Sequence, residues 1–149
     1  MAQAGPTGLA DFAGCWRVLR RIDDRHARMR GRFDGQAEFV PDGQGLTCTE
    51  TGLLRYGDAA PLEGTRRNLW RPQPPHAIAV HFADGRFFHA FDLAADARAA
   101  HDCAPDLYRV RYDFSDWPAW RATWTVSGPR KDYTSETTYT RKATRVGVA

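Results

Sequence analysis

The side chains with the widest chemical repertoire in this 149-residue chain are two histidines and a cysteine: His89, His101 and Cys103. An imidazole can bind a metal, transfer a proton or hydrogen-bond to a ligand near neutral pH. In the run from His101 to Asp106, the imidazole and the thiol share one parity and could serve as metal ligands or as a base and nucleophile. The same run could be a structural loop in which Asp106 caps a turn and Cys103 is a small buried hydrophobe. The spacing fits no specific motif, so we predict no metal site and no particular cofactor.

The sequence around His89 predicts which way its side chain faces. Residues 77–93 alternate in polarity and are interrupted by Asp84-Gly85, a favoured pair for a two-residue type I′ hairpin turn. Such a turn would set three cross-strand pairs: Phe82 with Phe87, Val80 with His89, and Ile78 with Phe91. Directly paired residues point to the same face of a sheet, so His89 should face an apolar interior and Phe88 the opposite side. There His89 could contact a ligand, or it could be a core histidine satisfied by a neighbouring hydroxyl or carbonyl.

Aromatic residues at alternate positions are the second candidate group. Five of them share the apolar parity of their segments: Tyr108, Tyr112, Trp124, Tyr133 and Tyr139. Phenol hydroxyls inside a barrel can hydrogen-bond to the head group of a ligand. Small barrels are also often filled by side chains alone, in which case the same residues would form a solid core.

Charged residues provide two further expectations. The run from Gly128 to Tyr133 contains Arg130 and Lys131, which could attract a carboxylate or phosphate at a barrel mouth or simply form a solvated hairpin turn. Arg20 and Glu50 fall on the inner parity of their strands. Because a buried charge is costly unless it is paired, they should pair with each other or with a ligand.

These candidates sit on short segments with a period of two, the spacing of half-buried strands. Turn residues such as Pro41-Asp42-Gly43 separate the segments, and residues 9–13 can form one short helical turn. We therefore predict an all-β fold: a single antiparallel up-and-down β-barrel of about 8–10 strands with a short N-terminal helical turn. One domain should span residues 1–149, with residues 1–7 and 144–149 frayed.

Composition narrows the function classes. The net charge of +3 is too small to indicate nucleic-acid binding, and no apolar stretch approaches the length of a membrane span. The three cysteines are odd in number and lack a paired spacing, so neither a disulfide framework nor a zinc site is expected. We predict a cytoplasmic protein with reduced thiols.

Two resemblances follow from the motifs. Gly14-Cys15-Trp16 with the late Arg141 resembles the calycin superfamily of lipocalins, fatty-acid-binding proteins and nitrobindin-like barrels. That resemblance implies that Trp16 packs across the barrel floor, that Arg141 stacks on its indole, and that Gly14 gives the backbone room. The whole chain is also similar to a bacterial and fungal family of unknown function, through the runs at 14–16, 84–89, 101–108 and 128–133.

The leading hypothesis is a barrel that binds a small apolar or amphipathic ligand with a polar or acidic head group. The candidate ligand contacts are His89, His101, Tyr108, Tyr112, Trp124, Arg130, Lys131 and Tyr133. One alternative is an enzyme using the same cavity, for which His89, His101 and Tyr108 are the candidate catalytic residues. Another is an interaction module with a filled barrel, whose outward Phe88 and Arg-rich strands contact another protein. The expected partner is a small molecule, and a homodimer is compatible with the sequence.

Overall fold

Ten antiparallel strands and one short 3₁₀ turn make up the part of the chain that the computed structural model describes, residues 5–93 and 97–142. The 3₁₀ turn spans Leu9–Phe12. The strands are β1 (Gly14–Asp24), β2 (Met29–Pro41), β3 (Leu46–Tyr56), β4 (Leu62–Gln73), β5 (Ala77–Phe82), β6 (Phe87–Asp92), β7 (Arg98–Cys103), β8 (Asp106–Asp113), β9 (Trp120–Ser127) and β10 (Asp132–Arg141). The all-β fold with a short N-terminal turn is confirmed.

The strands form one sheet in the order β6-β5-β4-β3-β2-β1-β10-β9-β8-β7, so the first and last strands pair. Between β6 and β7 no hydrogen-bonded pairing is found within the described ranges, and the barrel is nearly closed. Side chains bridge this gap, since the Phe88 ring of β6 lies 5.2 Å from the His101 ring of β7. We call the gap between β6 and β7 the seam. The terminal segments 1–4 and 143–149 lie outside the described residues.

The floor of the barrel is closed by Trp16 and Arg141, which lie opposite each other in the pairing of β1 with β10. Trp16 is fully buried, and the Arg141 guanidinium lies 3.8 Å above its ring. Arg141 also donates hydrogen bonds to the carbonyls of Ala13 at 2.7 Å and Asp11 at 2.8 Å. Gly14 has a φ of 118°, and a Cβ there would meet Arg141 at 3.0 Å, so this position requires glycine.

Large aromatic side chains fill the half of the barrel next to the floor. Trp120 stacks on Tyr139 with ring centroids 3.8 Å apart, and Phe12 lies 5.4 Å from the Trp70 ring. Further rings buried in the same cluster are those of Trp16, Phe39, Phe91 and Tyr112. This half is therefore a packed core and not a chamber, as is common in small barrels.

The hairpin of β5 and β6 has a different turn from the predicted one. Gly85 has a φ of 91° and donates its N–H to the Phe82 carbonyl at 2.9 Å, while the Phe82 N–H donates to the Arg86 carbonyl at 2.8 Å. The turn therefore begins at Phe82, and the register shifts between Val80 and His81. A glycine in the left-handed region after a turn commonly adds such a bulge.

The bulge changes the predicted pairs only near the turn. Val80 with His89 and Ile78 with Phe91 are confirmed, whereas Phe82 with Phe87 is wrong because Phe87 lies opposite His81. His89 consequently keeps its inward face.

The outer surface carries single apolar side chains on four different strands. They are Val40, Leu53, Leu62 and Phe87. Single exposed apolar residues are common on protein surfaces and need no special explanation. Within residues 5–93 and 97–142, no helix has the length and hydropathy that crossing a bilayer would need.

Replacing the Arg141 side chain should loosen the floor. Arg141→Ala removes a cation–π contact and two charge-assisted hydrogen bonds, and we expect a loss of about 2 kcal/mol in the free energy of unfolding. Urea denaturation followed by tryptophan fluorescence measures this loss. Arg67→Ala, at an exposed position of β4, is the matched control and should change the free energy by less than about 0.5 kcal/mol. Equal effects of the two substitutions would contradict this role of Arg141.

Candidate functional site

A cavity of about 310 Å³ opens at the end of the barrel away from Trp16. We call it the cup. Its lining residues are Arg20, Ile22, Asp24, Tyr56, Arg66, Phe88, Tyr108, Trp124, Val126, Tyr133 and Ser135. On β1 these positions occupy the second half of the strand, beyond the packed core. The volume is near the lower end of the ~300–1,000 Å³ typical of small-molecule sites.

A buried carboxylate forms the base of the cup. Glu50 is only 4% exposed and accepts hydrogen bonds from Arg20 at 2.9 Å, Arg66 at 3.1 Å and the Tyr139 hydroxyl at 3.0 Å. Arg20 also donates from Nε to the Thr137 hydroxyl at 2.8 Å. The predicted pairing of Arg20 with Glu50 is confirmed. We refer to Arg20, Glu50, Arg66 and Tyr139 as the ionic cluster.

The ionic cluster contains two cations and one anion, so it carries a net positive charge. Burial alone would raise the pKa of Glu50, but the charges of Arg66 and Arg20 hold that pKa below its ordinary value. Partial burial of Arg66 opposes its charge, but the attraction of Glu50 outweighs this effect and raises the pKa of the guanidinium. Glu50 and Arg66 are therefore both ionised near neutral pH.

Arg66 is the more exposed of the two cluster residues that line the cup. Its side chain keeps 53% of its surface exposed, against 14% for Arg20 and 5% for Glu50. A guanidinium has five N–H donors, and the single Nη2 contact with Glu50 leaves others directed away from the carboxylate. Arg66 can therefore bind an additional acceptor without giving up its internal partner.

Aromatic rings form one wall of the cup. Phe88 stacks on Phe82 with centroids 4.5 Å apart and on Trp124 at 5.1 Å, with interplanar angles of 20° and 9°. The prediction that Phe88 faces outward is wrong. Because β6 has no hydrogen-bonded neighbour across the seam in the described residues, its Phe88 side chain crosses the gap and packs on β9.

His89 and Tyr112 lie beneath the cup, not in its wall. His89 is 2% exposed, and its Nε2 lies 2.9 Å from the Tyr112 hydroxyl. Burial, together with the charges of His101 and Arg66, lowers the pKa of His89 to about 3, so the imidazole is neutral at physiological pH. Its Nδ1 has no hydrogen-bond partner among the described residues, and the adjoining void is only about 30 Å³.

Of the predicted contacts near the mouth, or rim, of the cup, Lys131 and His101 lie next to Tyr108, whereas Arg130 does not line the cup. Lys131 donates to the Tyr108 hydroxyl at 2.9 Å and lies 3.2 Å from the Asp106 carboxylate, contacts that raise its pKa. His101 is partly buried, with its ring 6.3 Å from that of Tyr108. Arg130 is exposed and is not part of the cup lining. Because Asp106 neutralises Lys131, the rim offers less net positive charge than the sequence suggested.

Sequence reasoning missed Arg66, although a signal was present. Arg66, Asn68 and Trp70 alternate along β4, and Trp70 is buried, so the parity places Arg66 inside. Asp24 and Tyr56, which hydrogen-bond to each other at the cup wall, were missed as well. Both lie at strand ends, where the period-two pattern had already faded.

A second hollow of about 580 Å³ lies on the outer side of β7, β8 and β9. Arg98, Arg109 and Arg111 line it together with Thr123 and Thr125. Its side chains belong to the solvent face of the strands, where salt screens charges strongly. The cup therefore offers the stronger electrostatic selection of a ligand.

The described residues contain no group of three or more His, Cys, Asp or Glu side chains placed to hold a metal ion. Cys103 is exposed, Cys48 is buried and Cys15 is intermediate, and all three are free thiols. Burial raises the pKa of the Cys48 thiol above its ordinary value, so Cys48 is protonated and unreactive at neutral pH.

One solved structure shares this fold, and a second is a weaker match. The S-type phycobiliprotein lyase CPES from Guillardia theta superposes with a TM-score of 0.65 and 8% identity, covering 92% of each chain. A redesigned β-barrel, mFAP0, bound to DFHBI covers 88% of this chain and 99% of its own, with a TM-score of 0.43 and 15% identity. The first match confirms the barrel fold, and an identity this low shows the fold alone.

Sequence comparisons give a family and a partial relative. Residues 12–141 match the model of a family described as "Family of unknown function (DUF6314)". Nodulation protein H of Rhizobium meliloti is 29% identical over 111 residues, which cover 61% of this chain and 42% of that protein. The same protein from strain 1021 matches with the same identity and coverage. The chain thus spans less than half the length of the curated relatives it matches.

The ionic cluster should make the free energy of unfolding depend on pH in the acidic range. In the fold the pKa of Glu50 lies below its ordinary value of 4.5, so the stabilisation is fully present above that value and is lost as the pH falls through the folded-state pKa. Glu50→Gln leaves the largely buried Arg20 and the half-exposed Arg66 without their carboxylate, and because solvent screens Arg66 we expect a cost of about 2 kcal/mol at neutral pH. The difference from the wild type should narrow as the pH falls below about 4.5.

Urea denaturation at a series of pH values from neutral to acidic measures this difference. Glu63→Gln, at an exposed position of β4, is the matched control and should show a small difference at every pH. A Glu50→Gln difference that stays constant down to strongly acidic pH would contradict the assignment of the charge to Glu50.

Proposed function

We propose that this chain, which belongs to the DUF6314 family, binds a small amphipathic molecule in the cup and holds its acidic head group at Arg66. The observation that carries the proposal is the position of Arg66: it lines the cup and is anchored on a buried carboxylate, yet about half of its side chain stays exposed. We propose an acidic head group because the Arg66 guanidinium is its natural partner.

The net charge of the ionic cluster favours an anion beside Arg66, while Asp24, hydrogen-bonded to Tyr56, adds a carboxylate to the cup wall. Arg20 and Arg66 share one carboxylate, so an incoming anion completes the neutralisation of the ionic cluster. Inside a barrel the effective dielectric is lower than in water, and a charge-assisted hydrogen bond gains strength accordingly. The planar guanidinium suits the two oxygens of a carboxylate.

The proposal changes the predicted head-group contacts. Tyr108, Trp124 and Tyr133 line the cup and stay among the proposed ligand contacts, and Lys131 and His101 adjoin Tyr108. His89 and Tyr112 lie below the cup and hydrogen-bond to each other, which supports a role in holding the cup base in place. Arg130 keeps only a peripheral role in attracting anions.

The environment of His89 favours a binding function over a catalytic one. A general base works best with a pKa near the operating pH, whereas burial lowers the pKa of His89 to about 3. Its Nε2 is also engaged with Tyr112. These two facts support a container whose deepest imidazole is structural.

We also propose that the protein acts in a reducing compartment such as the cytoplasm. Its three cysteines are free thiols, and one of them, Cys103, is exposed. An exposed free thiol is more compatible with a reducing environment than with an oxidising one.

Native mass spectrometry of protein purified under reducing conditions can identify a co-purified ligand directly.

Anionic and neutral fluorescent probes of similar shape test the role of Arg66. 8-Anilinonaphthalene-1-sulfonate carries an acidic group, and N-phenyl-1-naphthylamine is its neutral counterpart. We expect Arg66→Gln to weaken binding of the anionic probe by about tenfold, since a hydrogen bond to a charged group contributes about 1.5–3 kcal/mol. Binding of the neutral probe should change by less than about twofold.

Arg67→Gln is the matched control, because the adjacent side chain points to the opposite face of β4. It should leave the affinity of both probes unchanged. If Arg66→Gln and Arg67→Gln bind the anionic probe as tightly as the wild type, the proposed head-group site is wrong.

A further inference from the structure

The barrel below the ionic cluster has no room for the apolar part of a ligand. The void bordered by Glu50, His89 and Tyr112 is about 30 Å³, room for only about one or two water molecules. Beneath it, Trp120 and Tyr139 are stacked at 3.8 Å and both are buried. A flexible hydrocarbon tail therefore cannot extend past the cluster towards the floor.

The head group of a ligand at Arg66 must therefore be its deepest part. Everything else has to lie between Arg66 and the rim, within the roughly 310 Å³ of the cup. This arrangement limits the ligand to a short molecule whose body points out of the barrel. A long tail would leave its distal carbons in water, where they gain no burial energy.

Aromatic rings lie at the same depth as Arg66. Phe88 and Trp124 border both the cup and the small void below it, as Arg66 does. The rings of Phe82, Phe88 and Trp124 form a continuous parallel stack. The group directly attached to the acidic head therefore meets ring surface, with Tyr108 and Tyr133 completing the lining.

A planar ring fits this wall better than an alkyl chain does. Aromatic pairs gain about 0.5–1.5 kcal/mol beyond the burial of their area. A rigid ring also loses fewer rotamers on binding than a flexible chain, whose immobilisation is costly. Both effects act only if the ring lies next to the acidic group.

From these observations we infer that the ligand is a short aromatic acid, bound with its carboxylate deepest at Arg66 and its ring against Phe88 and Trp124. The inference rests on the proposed function, since it needs the acidic head group at Arg66. It adds the chemical class of the ligand body and the direction in which the ligand lies.

Three acids of equal carbon number test the inference: 4-butylbenzoate, its isomer 5-phenylpentanoate, and undecanoate. They share one carboxylate and differ only in where the ring lies, or in having none. By isothermal titration calorimetry, we expect 4-butylbenzoate to bind about tenfold more tightly than either of the other two acids. Its butyl group can extend through the mouth of the cup.

Neighbouring phenylalanines provide the matched variants. Phe88→Leu should weaken the binding of 4-butylbenzoate by about fivefold, because the ring of this acid stacks on Phe88. The affinity for undecanoate, which has no ring, should change by less than about twofold. Phe87 is 55% exposed and outside the cup lining, so Phe87→Leu should leave all three affinities unchanged. Thermal melts of both variants confirm that they remain folded.

The outcomes separate this inference from the proposed function. If the three acids bind equally well and all lose affinity in Arg66→Gln, the aromatic class is wrong and the head-group site stands. If 5-phenylpentanoate binds most tightly, the ring lies at the mouth and the inferred direction is overturned. If none of the acids binds, or if binding persists unchanged in Arg66→Gln, the proposed function itself fails.

Discussion

One buried carboxylate organises the interior of this barrel. Glu50 holds Arg20 of β1, Arg66 of β4 and Tyr139 of β10 from a single position on β3. A buried charge is tolerated only when its partners are complete, so these strands must keep their register for the cluster to exist. The same cluster separates an aromatic core below from a hollow space above. Stability and the candidate site thus share one set of contacts.

Much of this architecture follows from local sequence rules. Alternation with a period of two predicts the strands, and the inner parity of Arg20 and Glu50 predicts that they pair with each other or with a ligand, of which the first is found. The position of His89 followed from the pairs farther from the turn, which the register shift between Val80 and His81 left unchanged. Such features are local or involve one pair of strands, and that is why pattern reasoning reaches them.

The cup itself could not be derived in that way. Arg66 looks like a solvated residue in a basic segment; the parity it shares with Trp70 indicates an inner face, but only the distant partner Glu50 explains why a charge is held there. Phe88 lies across the seam because the edge strands β6 and β7 do not pair. The width of that gap depends on all ten strands together. The depth to which aromatic rings fill the core also depends on packing between elements that are far apart in sequence.

The seam gives the barrel a mechanical property that a fully hydrogen-bonded cylinder lacks. β6 and β7 meet through rings such as Phe88 and His101 and not through backbone pairs of the described residues. Side-chain contacts can slide and reform, whereas a ladder must break several hydrogen bonds to part. The circumference can therefore widen at this one line while the other nine strand pairings stay intact. Because Phe88 also lines the cup, such widening would change the volume available to its contents.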